Sequence, residues 1–570
     1  MEKGIGVSKG IELGRALVYQ TKPIKPEERI ITTNDVKKEK KRVDEAITAA
    51  VAELEQMLDK IDRAVNPTSA DLLEIHIELS RDPLFLEKIY HYIEFSLNSA
   101  PDAVLRASGE MAASFEALED KYYAARSGDI RDIGNRIAGI LLGVRRVNLS
   151  SLPGDVIIFA NDLTPSETIA MDRKHVLGFL TRIGSPTSHT AILAKSMEIP
   201  AIVGAVCGSV SDGDFVIIDG SSGEYFVNPD EELIQKYTRK RLAFRENLAR
   251  LKKLRNLPAV TPDGRKVEIV INIAQPLEAN KIEPAGAQGV GLFRTEFLYM
   301  NSTSAPDEES QFEAYREAAM RANGKPVIIR TLDIGGDKRL SYLAMPKEEN
   351  PFLGYRAIRF CLDNPEIFKT QLRAILRASA YGDLRIMFPM ICAMSELRRA
   401  KQLLQECKTE LTTEGQDYNN HIKTGMMVEI PSAAAAADVF AGEADFFSIG
   451  TNDLCQYTLA VDRMNQKIAN LYTPFNPGVL RLLRNIVTEG HRAGIPVGMC
   501  GEMASDPMAA VLLLGMGLDE FSVSASNVPY VKDVIRKTAF SRAKELYEHV
   551  MTLSSSIEIK KYLEENINAN

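Results

Sequence analysis

His189 stands in Gly184-Ser185-Pro186-Thr187-Ser188-His189-Thr190, ahead of Ala-Ile-Leu-Ala-Lys-Ser-Met. Gly-Ser-Pro forms a turn, and Thr187 and Ser188 are good helix N-caps. The spacing therefore predicts His189 in the first turn of a helix. Unpaired N–H groups and the positive end of the helix dipole favour an anion there and disfavour an imidazolium. A neutral ring beside an anion site keeps one nitrogen free to accept a phosphoryl group. An isolated Ser-His-Thr is more commonly a polar cap, so the rest of the chain has to discriminate.

A second set of reactive residues lies downstream. Arg294-Thr295-Glu296, Arg330 followed by Asp333 and Lys338, Glu429, Asn452-Asp453 and Cys500-Gly501-Glu502 each follow a short apolar run. Arg356 and Arg463 lie in the segments after two of these runs. Guanidinium forks match carboxylate and phosphate oxygens, so four arginines and a lysine converging on one place describe a polyanionic substrate. Each arginine alone reads as well as a rim salt bridge. Glu429 and Asp453 are spaced to share one hard cation, and two carboxylates with substrate oxygens and waters make a typical Mg²⁺ site. Cys500 is either a small buried hydrophobe or, beside a cationic mouth, a proton donor or thiolate. The other histidines show no metal spacing, with His76 a candidate for a partner face.

The elements that must position these groups are legible from hydrophobic period. After Pro258 the chain alternates strand and helix eight times. The predicted strands are Val267–Ile273, Gly289–Phe293, Pro326–Leu332, Leu384–Pro389, Thr424–Val428, Asp445–Ile449, Ile495–Met499 and Asp519–Val523. Eight βα units in one stretch read as a (β/α)₈ TIM barrel, whose reactive groups gather where strands end. Before Pro258, short strands at residues 1–20 give way from about Thr33 to Leu142 to long helices, punctuated by Pro67 and Pro83. Strands return at Asp155, Leu177, Phe215 and Glu224. The pattern is an α/β multidomain chain. An α/β domain (1–32 and 143–229) carries His189 and is interrupted by a helical insert (33–142). A helical linker (230–258) leads to the barrel (259–570). The basic residues of 230–256 read as a solvated linker face rather than a nucleic-acid surface.

With 570 residues, several domains are expected. A net charge of −8 argues against general nucleic-acid binding and permits a basic protein partner. The six cysteines are scattered with no C-x-x-C, which suits a reducing cytoplasm. No apolar signal region opens the chain, and no run approaches a membrane span.

The chain resembles enzyme I of the bacterial phosphoenolpyruvate:sugar phosphotransferase system. The matching stretches are Asp162-Leu-Thr-Pro-Ser-Glu-Thr168, Thr187-Ser-His-Thr, Glu198-Ile-Pro-Ala-Ile-Val-Gly204, Gly289-Val-Gly-Leu-Phe-Arg-Thr-Glu-Phe-Leu, Asp333-Ile-Gly-Gly-Asp-Lys, Phe446-Phe-Ser-Ile-Gly-Thr-Asn-Asp-Leu, Gly498-Met-Cys-Gly-Glu and Leu514-Gly-Met-Gly-Leu-Asp-Glu-Phe-Ser. They span essentially the whole chain in the family's order. The resemblance implies that His189 is the phosphorylated histidine, with Thr168 its hydrogen-bonding neighbour. It implies that Arg294, Arg330, Lys338, Arg356 and Arg463 hold phosphoenolpyruvate, with Asn452 on the phosphate. Glu429 and Asp453 would ligate Mg²⁺, and Cys500 would protonate the departing enolate to pyruvate. The helical insert would dock the phosphocarrier protein HPr. The barrel would form a homodimer, and the His domain would swivel between barrel and HPr.

One departure stands out: the family's usual Gly-Gly-Arg before Thr-Ser-His is Gly184-Ser185-Pro186 here, which removes a cation next to the histidine. Two other readings are a phosphoenolpyruvate synthase or dikinase relative and a non-catalytic regulatory scaffold. The first needs an ATP-binding domain ahead of the His domain, and no Gly-rich nucleotide loop is evident. The second has no need of Glu429, Asp453 and Cys500 together.

Overall fold

Alternating and continuous apolar runs at both ends of the first 230 residues pair into one sheet, and the helical block between them packs on its own core. The computed structural model describes the chain except residues 1, 20–29, 60–66, 117–120, 144–148, 150–151, 153, 164–166, 168–170, 173, 185–189, 192–193, 195–198, 207–209, 301, 303, 337, 339, 341, 344, 347, 464, 466 and 568–570. The chain divides into two units, Met1–Leu248 and Ala249–Asn570.

In the first unit, β1 (Glu2–Lys3), β2 (Ile5–Ser8), β3 (Ile11–Tyr19), β4 (Val156–Ala160), β5 (Val176–Thr181), β6 (Ala201–Val203), β7 (Phe215–Asp219) and β8 (Glu224–Val227) form one sheet in the order β1-β8-β7-β3-β4-β5-β6-β2. Strands β3, β4, β5 and β6 run parallel to one another, whereas β7 pairs antiparallel with β3, β8 with β7 and β2 with β6. The N-terminal segment joins the two ends of this order. Its residues 2–3 pair with β8 and its residues 5–8 with β6. The β8 and β6 edges are thereby covered by short strands of the N-terminal segment. The chains cross so closely that a Cβ on Gly6 would sit 2.3 Å from the Gly220 carbonyl oxygen. β6 is a three-residue strand between turns, too short for hydrophobic period to reveal.

Between β3 and β4 lie α1 (Val36–Asp59), α2 (Pro67–Ser80), α3 (Pro83–Glu94), α4 (Ala100–Glu116) and α5 (Lys121–Leu141). On α1, Val43, Ala46, Ile47, Ala50, Val51 and Leu54 recur at helical spacing and are all buried. α3 begins where the sequence dictates. Asp82 Oδ1 accepts from the N–H groups of Leu84 (2.8 Å) and Phe85 (3.1 Å), and Pro83 occupies N1. His76 corrects the expectation of a partner face: it is 1% exposed, with Nε2 3.3 Å from Asp129. A polar residue on a mostly apolar helix can face inward when carboxylates wait there, and the period alone does not reveal them.

Helix α6 (Glu231–Lys253) carries the basic stretch. Several of its cations are used within the first unit: Arg245 lies 2.7 Å and Arg241 3.4 Å from Glu12. Past the unit boundary, Arg250 pairs with Asp533.

The second unit is a closed parallel barrel of β9 (Glu268–Ile273), β10 (Val290–Arg294), β11 (Val327–Arg330), β12 (Leu384–Phe388), β13 (Lys423–Val428), β14 (Phe447–Ile449), β15 (Val497–Met499) and β16 (Glu520–Val523). All eight predicted strands are present, with ends shifted by a residue or two: most are trimmed, while the second runs one residue further, to Arg294, and the fifth begins one residue earlier, at Lys423. Leu292, Ile328, Met387 and Met427 form an inner cluster with Cys500, apart from the larger core, which includes the next β10 residue, Phe293. Adjacent residues of one strand thus serve opposite faces, and the inner cluster fills the barrel rather than leaving a pore.

Candidate active site

Because the strands are parallel and the sheet closes, the C-terminal ends of all eight strands share one rim. The two residues that order this rim were not assigned roles from sequence. Glu296 and Asp333, each 1% exposed, are the anions around which three of the expected cations, Arg330, Lys338 and Arg356, gather. Arg330 Nη2 lies 2.7 Å from Glu296 Oε1 and its Nη1 2.8 Å from Asp333 Oδ2. Lys338 Nζ lies 2.8 Å from Glu296 Oε1. Arg356 reaches Asp333 with Nε at 2.9 Å and Asp453 with Nη2 at 3.1 Å. Burial alone would raise the Asp333 carboxyl, but Arg330, Arg356 and Lys338 outweigh it and hold it well below the usual carboxylate range. Glu296 is likewise opposed by burial and lowered by Arg330 and Lys338. The signal available in sequence was charge balance: cations at strand ends that are to be buried need anions beside them.

The backbone is shaped to allow this convergence. Gly335 and Gly336 have φ of +111° and +67°. A Cβ on Gly335 would lie 2.8 Å from Arg356 Cα, so the loop after β11 can back directly onto Arg356 only with glycine there. Gln371, fully buried on the helix Pro365–Ala378, holds the rim from behind. Its Nε2 donates to Thr295 Oγ1 (3.2 Å), and its Oε1 accepts from the Leu332 N–H (2.8 Å).

Arg294 and Arg463 are half-buried, and among the described residues neither guanidinium has an ion pair or hydrogen bond. Of the arginines expected to hold substrate, these two have no anionic partner among the described residues. Asn452 Oδ1 accepts from the Glu502 N–H at 3.1 Å, and among the described residues its amide Nδ2 has no acceptor.

Glu429, 1% exposed, follows β13 and accepts from the Met390 N–H at 2.7 Å. Burial, then Asp453 and Asp333, push its carboxyl up to about 8 against the pull of Arg330 and Arg356. Among the described residues no three ligating side chains cluster. Glu429 and Asp453 are two hard oxygen donors, and their mutual repulsion is what a divalent cation would relieve, so the pair suits Mg²⁺ with substrate and water oxygens completing the shell.

Cys500, 5% exposed, follows β15 at the head of the inner cluster. Burial pushes its thiol up to about 11, with Glu429 adding to the rise and Ser448, Arg330 and Arg294 opposing it. The group is therefore a protonated thiol at neutral pH rather than a thiolate.

His189 and Thr168 lie outside the described residues. Next to His189, Thr190 and Ala191 have helical backbone, and Thr190 Oγ1 donates to the Leu163 carbonyl at 3.1 Å.

Comparison with known proteins agrees along the whole length. The family described as PEP-utilising enzyme, PEP-binding domain, matches residues 248–540. The PEP-utilising enzyme N-terminal family matches 3–126, and the mobile-domain family matches 152–223. The phosphoenolpyruvate-protein phosphotransferase of Bacillus subtilis (strain 168) is 44% identical over 565 residues, 99% of each chain. The chain belongs to the phosphoenolpyruvate-protein phosphotransferase family. The Geobacillus stearothermophilus member is 45% identical over 98% of this chain and 97% of its own. The Haemophilus influenzae member is 44% identical over 99% of both. Within this phosphotransferase family, the mobile-domain match covers the stretch that includes His189, and the PEP-binding match covers every rim residue described above.

Proposed function

We propose that the chain takes the phosphoryl group of phosphoenolpyruvate onto His189 and passes it to a histidine of the carrier protein HPr, releasing pyruvate. The observation that carries this reading is the barrel rim. Arg294 and Arg463, without anionic partners among the described residues, stand in one set with Arg330, Lys338 and Arg356 beside a protonated Cys500.

The five cations bind the carboxylate and phosphate of the substrate, and Asn452 donates to the phosphate. Glu429 and Asp453 would hold Mg²⁺, which when bound offsets the negative charge of the phosphate and of the enolate oxygen. The P–O bond of the substrate breaks with its electron pair left on the enolate, and an N–P bond forms at His189 beside Thr168. Cys500 gives its thiol proton to the methylene carbon of the enolate, which yields pyruvate. A thiol raised to about 11 still holds that proton at neutral pH.

The domain assignment follows this division of labour. The α/β domain (1–32 and 143–229) carries His189 and swivels on the linker (230–258). The helical insert (33–142) docks HPr, and the barrel (259–570) binds phosphoenolpyruvate and dimerises. Five described cysteines are free, which suits a reducing cytoplasm. Among the described residues no helix is long and apolar enough to cross a membrane.

The test is mass spectrometry of the chain after exposure to phosphoenolpyruvate and Mg²⁺. A single acid-labile, base-stable phosphoryl group on His189 is expected. A His189→Ala chain that still becomes phosphorylated overturns the assignment.

A further inference from the structure

Tyr457 lies on the helix Thr451–Leu459, one turn after Asp453. Residues at this spacing share a helix face, and both reach the same guanidinium. Arg356 Nη1 lies 3.4 Å from Asp453 Oδ1 and donates to the Tyr457 hydroxyl oxygen at 3.3 Å. The Tyr457 hydroxyl in turn donates to the Phe352 carbonyl at 2.6 Å. Phe352 belongs to the short turn Pro351–Leu353, four residues before Arg356. One hydroxyl therefore fixes both the loop that delivers Arg356 and the guanidinium at its end. A phenol keeps its proton at neutral pH, so it can donate to the carbonyl and accept from the arginine at once.

The geometry points to Tyr457 as a positioning residue for substrate binding, acting through Arg356. This rests on the reading of Arg356 as a phosphoenolpyruvate-binding group. Asp333 and Asp453 both draw the guanidinium toward themselves. The loop that carries it is also braced by Arg359, whose Nη1 donates to the Leu353 and Gly354 carbonyls at 3.0 and 2.9 Å, and by the Ala357 N–H, which donates to the Ile334 carbonyl at 2.9 Å. Tyr457 adds a bond from the loop to the guanidinium itself. Without it, Arg356 keeps its charge, its aspartate partners and the other loop bonds but loses the hydroxyl that links its guanidinium to the Phe352 carbonyl. Loss of positioning weakens a binding interaction and leaves proton transfer by Cys500 untouched.

The experiment is a double-mutant cycle of Tyr457→Phe and Arg356→Lys in the full chain, read by steady-state pyruvate formation with Mg²⁺ and HPr. Tyr457→Phe keeps the ring and removes only the hydroxyl. It should raise the KM for phosphoenolpyruvate by about tenfold, the effect of a lost hydrogen bond to a charged group, while kcat and Tm stay near wild type. In the Arg356→Lys background the same change should have little further effect, because the group it positions is gone. An unchanged KM in Tyr457→Phe, a fall in kcat instead, or full additivity of the two substitutions overturns the proposal. Arg356→Lys with a wild-type KM overturns the underlying assignment of Arg356, an outcome told apart from the others by that single variant.

Discussion

Arg356 and Asp453 face each other at the barrel rim, Nη2 to Oδ2 at 3.1 Å and Nη1 to Oδ1 at 3.4 Å. The arginine assigned to substrate and the aspartate assigned to Mg²⁺ are thus partners of each other. Removing the arginine charge should leave Asp453 and Glu429 a stronger cation site. Arg356→Gln should bind Mn²⁺ about tenfold more tightly in the absence of phosphoenolpyruvate, given the Coulomb energy of a charge at this distance, while its KM for phosphoenolpyruvate rises. Mn²⁺ titration followed by electron paramagnetic resonance reads this directly, and unchanged or weaker binding contradicts it.

Cys500→Ser should lower kcat for pyruvate formation by about 10² to 10⁴, the usual contribution of a positioned general acid. KM should change little, since the thiol is not assigned to ground-state binding. Steady-state kinetics decide the matter, and an unchanged kcat returns Cys500 to a packing role in the inner cluster.

Glu296→Ala should destabilise the barrel by about 3–5 kcal/mol, because it leaves the buried Arg330 without one of its two anions. Urea denaturation compared with wild type measures this. A loss below about 1 kcal/mol, the range of exposed pairs, would mean that Asp333 alone suffices.

Glu520, at the opposite end of the barrel from the rim, has its carboxyl pushed up to about 7 by burial and then by Glu268 and Asp519. The unfolded chain releases this proton near the ordinary glutamate value of about 4.3. Between those values the folded state binds more protons, so stability falls as pH rises through the window and levels off above about 7. Glu520→Gln should raise Tm at pH 8 and reduce the fall in Tm between pH 5 and pH 8. Thermal melts at the two pH values check it, and parallel shifts of wild type and variant would refute it.

Sequence alone determined the barrel, because a buried parallel strand is a short, mostly apolar run that the chain pattern shows locally. The same reading located Arg294, Arg330, Glu429 and Cys500, each at or one residue past a strand end, whereas Asp453 lies beyond the end of β14 on the helix Thr451–Leu459. It also determined the helical insert, through the apolar spacing of α1 and the proline and Asp82 signals of α3.

Only the tertiary structure decided which charges meet. Glu296 and Arg330 are 34 residues apart, and Arg356 and Asp453 97 apart, so their pairing follows from barrel closure and from the loops that Gly335, Gly336 and Tyr457 hold in place. Likewise, the pairing of the N-terminal segment with both β8 and β6 depends on the sheet curling back on itself, which no local pattern encodes. The protonation of Cys500 and Glu429 is of the same kind. A residue type sets the ordinary pKa, while burial and the neighbouring charges that shift it exist only once the strands have closed around them.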